Sequence, residues 1–236
     1  MAKLKFDIAR HFDDPRDMPA YGIHLAAHYL RMPVTTLRYW IRGKKYSTDA
    51  GPKWAEPVIL LPDPDHLLLS FFNLAEAHIL RGLRKEERIQ LPHIRSALDY
   101  VGSRFGTSHP LLQHKFKTDG VSLFVEELGK LIDATGFGQI VMPELMGHLE
   151  RLDFEKDVVS RLYPFTRPSE PGPRSVFIDP RYAFGRPVLA RIFVPTAVIS
   201  ERYEAGESVD ELARDYGCQE LEIEEAIRCE LSAKAA

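Results

Sequence analysis

Apolar residues recur every three or four positions along most of this chain, and that spacing predicts amphipathic helices. The first apolar stripe predicts a helix over residues 22–30. A second stripe, which starts beside Pro33, predicts another helix directly after it, because proline suits the first turn of a helix. The two stripes consist of Ile23, Ala26, Ala27 and Leu30, and of Val34, Leu37 and Ile41.

The middle of the chain continues the helical pattern with one interruption. We expect three helices here, the first of them capped by Asp65, over residues 66–83, 92–105 and 143–152. The interruption is Asp119-Gly120, which stands between alternating apolar positions and predicts a β-hairpin over residues 115–126. The middle segment is therefore expected to be helical with a small hairpin.

The C-terminal part of the chain reads as short strands followed by helices. We expect strands at residues 176–178 and 188–194, and helices at about 196–205, 208–216 and 220–231. Ser208 is the expected N-cap of the second of these helices, and Gly206 and Gly217 end the first two. The whole pattern predicts a mainly α fold with short β-hairpins, of the α+β class.

Proline and glycine mark one boundary between domains. Residues 168–175 contain three prolines and a glycine, which neither continue a helix nor fit a central strand. We therefore expect three parts: a DNA-binding head with a helical middle region at 1–167, a linker at 168–175, and a three-helix module at 176–236.

Composition and charge add two constraints. The 236 residues are 44% hydrophobic and 28% charged, which excludes disorder, and two cysteines are too few for a disulfide framework. The chain contains no apolar run of about 20 residues, so we expect a cytoplasmic protein with no membrane contact. Residues 1–117 carry a net charge of +6 and residues 118–236 one of −9, which favours an anionic partner at the N-terminal end only.

The first two predicted helices have the plan of a helix-turn-helix, whose second helix enters the major groove of DNA. If the apolar stripe of the second helix faces the core, its polar residues share another face with hydroxyl and guanidinium donors for phosphates and base edges. Two lysines follow at once, and the stretch up to Val58–Leu61, a candidate strand, would supply a wing. The candidate DNA-binding residues are Thr35, Thr36, Arg38, Tyr39, Arg42, Lys44 and Lys45.

The residue sequence of this segment strengthens the interpretation that the helix pair binds DNA. The run from Ala26-Ala27 through Thr36-Leu37-Arg38-Tyr39-Trp40 resembles the winged helix-turn-helix head of MerR-type regulators. The resemblance implies DNA binding over about 25 residues. MerR regulators continue into a long coiled-coil helix, whereas the helix expected at 66–83 is too short and too hydrophobic for such a seam.

The C-terminal module resembles a small bacterial antitoxin-like family that is catalogued as a domain of unknown function. The motifs that carry this resemblance are Asp179-Pro180, Gly185-Arg186-Pro187-Val188, Val194-Pro195-Thr196, Ala205-Gly206-Glu207-Ser208 and Ala226-Ile227. Ala190-Arg191-Ile192-Phe193 stands where family members usually have Gly-Thr-Arg. The last helix opens with Glu220, Glu222, Glu224 and Glu225, which would repel phosphate, so we interpret the module as a protein-binding or dimerisation unit.

Over nearly its whole length the architecture resembles the large VapB-type antitoxins. The resemblance implies a homodimeric antitoxin and transcriptional autorepressor that binds operator DNA and neutralises a partner ribonuclease toxin with a PIN-like fold. One alternative remains, a MerR-like stand-alone transcription regulator that responds to a small ligand bound by residues 66–167. The aromatic residues available to line a pocket there are Phe71, Phe72, Tyr100, Phe105, Phe116, Phe124 and Phe137.

Candidate catalytic and metal-binding motifs are weak. His24 and His28 lie one turn apart, but Leu25 stands where the zincin motif requires glutamate. Gly136-Phe137-Gly138 lacks the third glycine of a dinucleotide fingerprint and predicts a loop. Cys229 lies in an apolar stretch and is expected to be a small buried hydrophobe. We therefore expect no enzyme, no cofactor and no metal site.

Overall fold

The computed structural model describes residues 14–48, 51–85, 89–107, 109–132, 137–167 and 172–231. Its helices are α1 (Ile23–Tyr29), α2 (Val34–Arg42), α3 (Phe71–Leu80), α4 (Leu91–Phe105), α5 (Val121–Ile132), α6 (Phe137–Leu149), α7 (Thr196–Glu204), α8 (Val209–Tyr216) and α9 (Glu220–Leu231). Its strands are β1 (Tyr21–Gly22), β2 (Lys44–Thr48), β3 (Gly51–Ala55), β4 (Leu68–Leu69), β5 (Leu152–Glu155), β6 (Val158–Leu162), β7 (Val176–Phe177) and β8 (Val188–Leu189). The strands form four antiparallel pairs, β1–β4, β2–β3, β5–β6 and β7–β8. The predicted α+β class is confirmed.

Helix α3 is the centre of the larger hydrophobic core. All ten of its residues are buried, and α1, α2, α4, α5 and α6 contribute side chains to the same core. The helix was expected at 66–83 with Asp65 as its cap, and that start is wrong. Ser70 is the N-cap: its hydroxyl accepts a hydrogen bond from the Asn73 amide, and the Asn73 side chain accepts one from the Ser70 amide. A reciprocal cap of this kind starts a helix more effectively than an isolated aspartate.

The hairpin expected at residues 115–126 is also wrong. Residues Phe116–Gly120 form one π-helical turn, which continues directly into α5. A Cβ atom on Gly120 would lie 2.8 Å from the rings of Phe105 and Phe116, so the glycine permits close helix packing here and not a turn. The buried residues of α5 are spaced like those of an amphipathic helix and decide the outcome; they are Val121, Phe124, Val125 and Leu128.

Other predicted bounds shift for local reasons. The helix expected at 143–152 is α6, which starts at Phe137 and ends at Leu149, before β5 begins at Leu152. Of the loop expected at residues 136–138, Phe137 and Gly138 are helical, and Gly136 lies outside the described residues. The strand expected at 188–194 pairs only over β8. After it the chain turns tightly: the Leu189 carbonyl accepts from the Phe193 amide at 2.8 Å, and Phe193 adopts a φ of 58°.

The C-terminal helices agree with prediction to within a residue or two, and a second, smaller hydrophobic cluster holds them together. Ser208 caps α8 with a reciprocal bond to Glu211, and Gly217 ends α8 in the left-handed conformation. Cys229 is buried in this cluster, and burial raises the pKa of its thiol to about 12. The cluster consists of Val176, Leu189, Ile199, Leu212, Ala213, Ile223, Ala226, Ile227 and Cys229.

Backbone contacts join the two halves of the chain. Leu162 and Ile178 exchange amide–carbonyl hydrogen bonds of 3.0 and 2.8 Å. The Tyr21 hydroxyl donates to the Gly185 carbonyl at 2.9 Å, and the Arg31 guanidinium donates to the Arg228 carbonyl at 2.8 Å. Of the expected linker 168–175, residues 168–171 lie outside the described residues.

Two buried ions complete the junction. Glu225, whose side chain is fully buried, accepts hydrogen bonds from Thr166, from Arg167 at 2.6 Å and from Arg228 at 2.8 Å. Arg151 donates to the carbonyls of four residues on both sides of the undescribed segment, at 3.0–3.2 Å. These are Tyr163, Pro164, Gly172 and Pro173. In the described parts of the chain, none of the helices combines the length and the apolar character that a transmembrane span requires.

Candidate nucleic-acid interface

Helices α1 and α2 form the expected helix pair, and each buries one face against the larger core. The tight turn between them contains Arg31, with a φ of 48°, and the buried Met32. Helix α2 starts after Pro33, whose carbonyl accepts from the Thr36 amide at 3.0 Å. The buried residues of the pair are Ile23, Ala26, Ala27 and Tyr29 in α1, and Leu37, Trp40 and Ile41 in α2.

The opposite face of α2 is open to solvent. Thr35, Arg38, Tyr39 and Arg42 are exposed on it, Lys44 and Lys45 are exposed immediately after the helix, and Thr36 is half-buried. The Lys44 ammonium lies 5.0 Å from the centre of the Tyr39 ring, which orders both side chains. Among the described residues, no carboxylate forms an ion pair with Arg38, Arg42, Lys44 or Lys45. These cations are therefore available to an external anion.

The hairpin β2–β3 follows α2 after a single residue, Gly43. Gly43 has a φ of 74°, and a Cβ atom there would overlap the Ala55 carbonyl oxygen. Only glycine allows the strand to return this close to the helix. The hairpin therefore occupies the place that a wing takes in a winged helix-turn-helix.

The hairpin contributes two candidate residues that the sequence analysis missed. Lys45 is paired with Trp54, and Tyr46 with Lys53. Since directly paired residues share one face of a hairpin, Lys45 and the half-exposed Trp54 lie on the same face. Only the strand pairing of the hairpin identifies Lys53 and Trp54 as candidates. That pairing can be read from the sequence only once the position of the turn is known.

Residues 57–60, which follow the hairpin, fix the end of α2. The amides of Val58 and Ile59 both donate to the carbonyl of Trp40, at 2.9 and 3.1 Å. The prediction of a strand at Val58–Leu61 is therefore wrong. The chain bends at Val58 and Ile59 because these residues cap the C-terminal end of the helix instead of pairing with another strand.

The two histidines of α1 differ in environment. His24 is exposed, whereas His28 is half-buried against α9, and burial lowers the pKa of its imidazole. Within the described residues, no group of three or more His, Cys, Asp or Glu side chains is arranged to hold a metal ion.

The acidic start of α9 is only partly a surface feature. Glu220 is exposed and Glu222 and Glu224 are half-buried, but Glu225 points inward into the junction. The interpretation of these four glutamates as charges that would repel phosphate is therefore wrong for Glu225, which binds Arg167 and Arg228 inside the junction. Its helical position, one residue after Glu224, places it on the buried side with Ala226.

The most exposed aromatic side chain among the described residues was also missed by the sequence analysis. Phe184 is 97% exposed and lies in a turn in which Ala183, Phe184 and Gly185 all have positive φ angles of 46°, 56° and 78°. A Cβ atom at Gly185 would collide with the Tyr21 hydroxyl. Such strained turns are found where a side chain is presented for function.

Two sequence families match parts of this chain. Residues 19–98 match a family described as a putative DNA-binding HTH domain. Residues 176–228 match a family described as a protein of unknown function, DUF433, which confirms the resemblance of the C-terminal module to such a family.

Relatives from Mycobacterium tuberculosis (strain ATCC 25618 / H37Rv) match most of the chain. This chain is 28% identical over 228 residues to the putative antitoxin VapB45, and the match covers 89% of this chain and 93% of the relative. It is 23% identical over 203 residues to the uncharacterized protein Rv2308, covering 83% of each. The crystal structure of Rv2018 from Mycobacterium tuberculosis has the same overall fold, with a TM-score of 0.64 at 21% identity, covering 89% of this chain and 98% of that one.

These likenesses and the exposed face of α2 support an antitoxin-like protein with a helix-turn-helix DNA-binding domain.

Proposed function

We propose that this protein is a cytoplasmic antitoxin and transcriptional autorepressor. It binds operator DNA through α2 and neutralises a partner ribonuclease toxin with a PIN-like fold. The exposed face of α2 carries the proposal, because its hydroxyl and cationic side chains have no carboxylate partner among the described residues. The protein acts by binding alone, without cofactor or metal.

In the DNA-bound state, α2 lies in the major groove. Thr35, Arg38 and Arg42 face base edges and phosphates, and the guanidinium groups suit bidentate contacts with guanine. Thr36 and Tyr39 flank them, and Lys44 and Lys45 neutralise the backbone beside the groove. The hairpin adds Trp54, on the same face as Lys45, to the adjacent backbone, and Lys53 adds a positive charge to the opposite face of the wing.

A homodimer fits this function. One helix of nine residues reads only a few base pairs, whereas two copies related by a two-fold axis read a palindrome. We assign dimerisation to the C-terminal module. Native mass spectrometry of the protein with its operator is expected to show two copies per duplex, and one copy per duplex contradicts the homodimer.

The test of DNA binding is the double substitution Arg38→Ala/Arg42→Ala. Fluorescence anisotropy with the promoter region of the protein's own gene is expected to show weaker binding. The slope of log affinity against log salt should fall by about one unit for each phosphate that is no longer neutralised, because fewer counterions are released.

The control is Arg104→Ala/Arg214→Ala, which removes the same charge from exposed positions on α4 and α8. It is expected to retain the wild-type salt slope. If both double variants bind like the wild type, α2 is not the reading helix.

The antitoxin part is tested with the product of the adjacent gene. We expect that product to arrest growth alone, and co-expression with this protein to restore growth and yield a stable purified complex. No toxicity and no complex would contradict the antitoxin proposal and favour the alternative, a stand-alone regulator that answers a small ligand. A cavity lined by Glu76 of α3 and by residues of α4 is the observation that favours this second candidate.

A further inference from the structure

A cavity of about 530 Å³ opens between residues 57–60, α3, α4 and the chain after α4. Its volume lies within the range of about 300–1,000 Å³ that is typical of small-molecule sites. It does not use the aromatic residues expected to line a pocket: Phe71, Phe72, Phe116 and Phe124 are buried in the core. Its lining residues include Val58, Glu76, Arg95, Leu98, Asp99 and His109.

One wall of the cavity carries an ion pair of which one member is buried. Glu76 lies on the buried helix α3, and its side chain is 9% exposed, whereas that of His109 is 32% exposed. His109 Nδ1 lies 2.9 Å from Glu76 Oε1, and Asn73 Nδ2 donates to Glu76 Oε2 at 3.4 Å. The hydrogen bond to Glu76 raises the pKa of His109 above its usual value, which favours the charged form of the imidazole.

A second pair of opposite charges lines the other wall. Arg95 Nε donates to Asp99 Oδ1 at 3.3 Å, and Ser103 donates to the Asp99 carbonyl at 2.8 Å. Burying a carboxylate costs free energy, and an apolar side chain would often stabilise a core as well as a buried ion pair does. Packing alone therefore does not account for Glu76 and His109 beside an open cavity.

The same polar groups hold residues 57–60. Arg95 Nη1 donates to the Pro57 carbonyl at 2.5 Å, and Asn73 Nδ2 donates to the Leu60 carbonyl at 2.9 Å. Between these two points, the amides of Val58 and Ile59 bind the last turn of α2 through the Trp40 carbonyl. A change in the position of Arg95 or Asn73 is thus transmitted to α2 through one short run of backbone.

The geometry points to a binding site for a small zwitterion with a branched aliphatic side chain, the chemistry of a branched-chain α-amino acid. The ligand's ammonium group pairs with Glu76 and Asp99, its carboxylate with Arg95 and His109, and its side chain contacts Val58 and Leu98. Occupancy competes for Arg95 and shifts residues 57–60 and with them α2. The effect on transcription rests on the proposed function, whereas ligand binding does not.

Isothermal titration calorimetry of the full chain with L-leucine tests the site. We expect a dissociation constant of about 1 mM or tighter. Two analogues of similar shape, 4-methylpentanoate and 3-methylbutylamine, lack the ammonium and the carboxylate and are expected to bind at least about tenfold more weakly. Equal binding of L-leucine and both analogues, or no binding of L-leucine, overturns the assignment.

Two variants locate the ligand. Arg95→Met keeps the length of the side chain and removes its charge, and Glu76→Gln keeps the shape of the buried residue. Both are expected to lose L-leucine binding, whereas Arg104→Met, on the same helix but outside the cavity, keeps it. Thermal melting confirms that each variant is folded, and undiminished binding by folded Arg95→Met overturns the site.

Hydrogen exchange tests the coupling without DNA. L-leucine is expected to change the protection of the Val58 and Ile59 amides, and unchanged exchange in the ligand-bound protein overturns the coupling. Anisotropy with promoter DNA then separates the two proposals. If the protein binds L-leucine but binds no promoter DNA, whether L-leucine is present or absent, the proposed function is contradicted and the ligand site remains supported.

Discussion

At the scale of single residues, Gly43 determines the distance between α2 and the hairpin β2–β3. Its left-handed conformation and the Ala55 carbonyl exclude a side chain. In the sequence, the glycine before two lysines indicates only that the helix ends there. The steric reason depends on Ala55, twelve residues away, which no local pattern contains.

Gly43→Ala is therefore expected to destabilise the protein. The unfavourable φ alone costs about 1–3 kcal/mol in the free energy of unfolding, and the collision with Ala55 adds to it. Urea denaturation measures the loss. Gly147→Ala is the control, because Gly147 lies inside α6 with open space around its Cβ, and it is expected to be neutral or to stabilise by up to about 1 kcal/mol. Equal stability of the two variants would contradict the prediction.

The ion pair of His109 predicts a dependence of stability on pH. Glu76 raises the pKa of His109 in the folded state, so the pair stabilises the folded protein fully at pH values below the unfolded-state pKa of about 6.5. Its contribution to the free energy of unfolding decreases as the pH rises through the folded-state pKa. The difference in unfolding free energy between wild type and His109→Gln should therefore shrink as the pH rises above about 6.5.

The comparison with His109→Gln is needed because His78 acts in the opposite direction. Burial lowers the pKa of His78, so the contribution of His78 to the free energy of unfolding increases as the pH rises. Since both proteins retain His78, its effect cancels in the difference. A difference that stays constant across the pH range would contradict a charged His109.

At the scale of elements, helices with a clear apolar stripe and caps follow from the sequence. The pairs α1–α2 and α8–α9 agree with prediction because their stripes, Ser208 and Gly217 all indicate the same bounds. The segment 115–126 does not, because Asp119-Gly120 favours a turn locally while Phe116 and Phe124 fit a helix in the core. Where local preference and burial disagree, burial determines the element.

Two helix caps of the same type are expected to differ in strength. Ser208→Ala removes an exposed cap of α8 and should cost about 1 kcal/mol. Ser70→Ala leaves the buried Asn73 amide of α3 without its acceptor, which costs about 1–3 kcal/mol in addition to the lost cap. Urea denaturation compares both with Ser96→Ala, an exposed residue inside α4 that should change the free energy of unfolding by less than about 0.5 kcal/mol. Equal losses at Ser70 and Ser208 would contradict the role of burial.

At the scale of the whole molecule, two hydrophobic clusters are held together by hydrogen bonds and a buried carboxylate. The sequence predicts the two halves and their opposite net charges, because proline content and charge are local properties. It does not predict the junction, since Glu225 reads as one more exposed glutamate of α9. Its partner Arg167 lies 58 residues away in the sequence.

Loss of this carboxylate is expected to weaken the attachment of the C-terminal module. Glu225→Ala removes the buried carboxylate that binds Thr166, Arg167 and Arg228 and should cost about 1–3 kcal/mol, so that scanning calorimetry shows two transitions instead of one. Glu224→Ala removes the neighbouring half-exposed partner of Arg228 and should cost less than about 1 kcal/mol. A single transition in Glu225→Ala would show that the module is held by other contacts.

The hydrogen bonds of Arg151 have an evolutionary consequence. One guanidinium binds carbonyls that precede the segment 168–171 and carbonyls that follow it, so both ends of that segment are held at one point. The length of chain between two fixed ends costs little entropy to change, since each doubling adds only about 0.6 kcal/mol. Insertions and deletions among relatives should therefore accumulate at this position, while an arginine equivalent to Arg151 is retained.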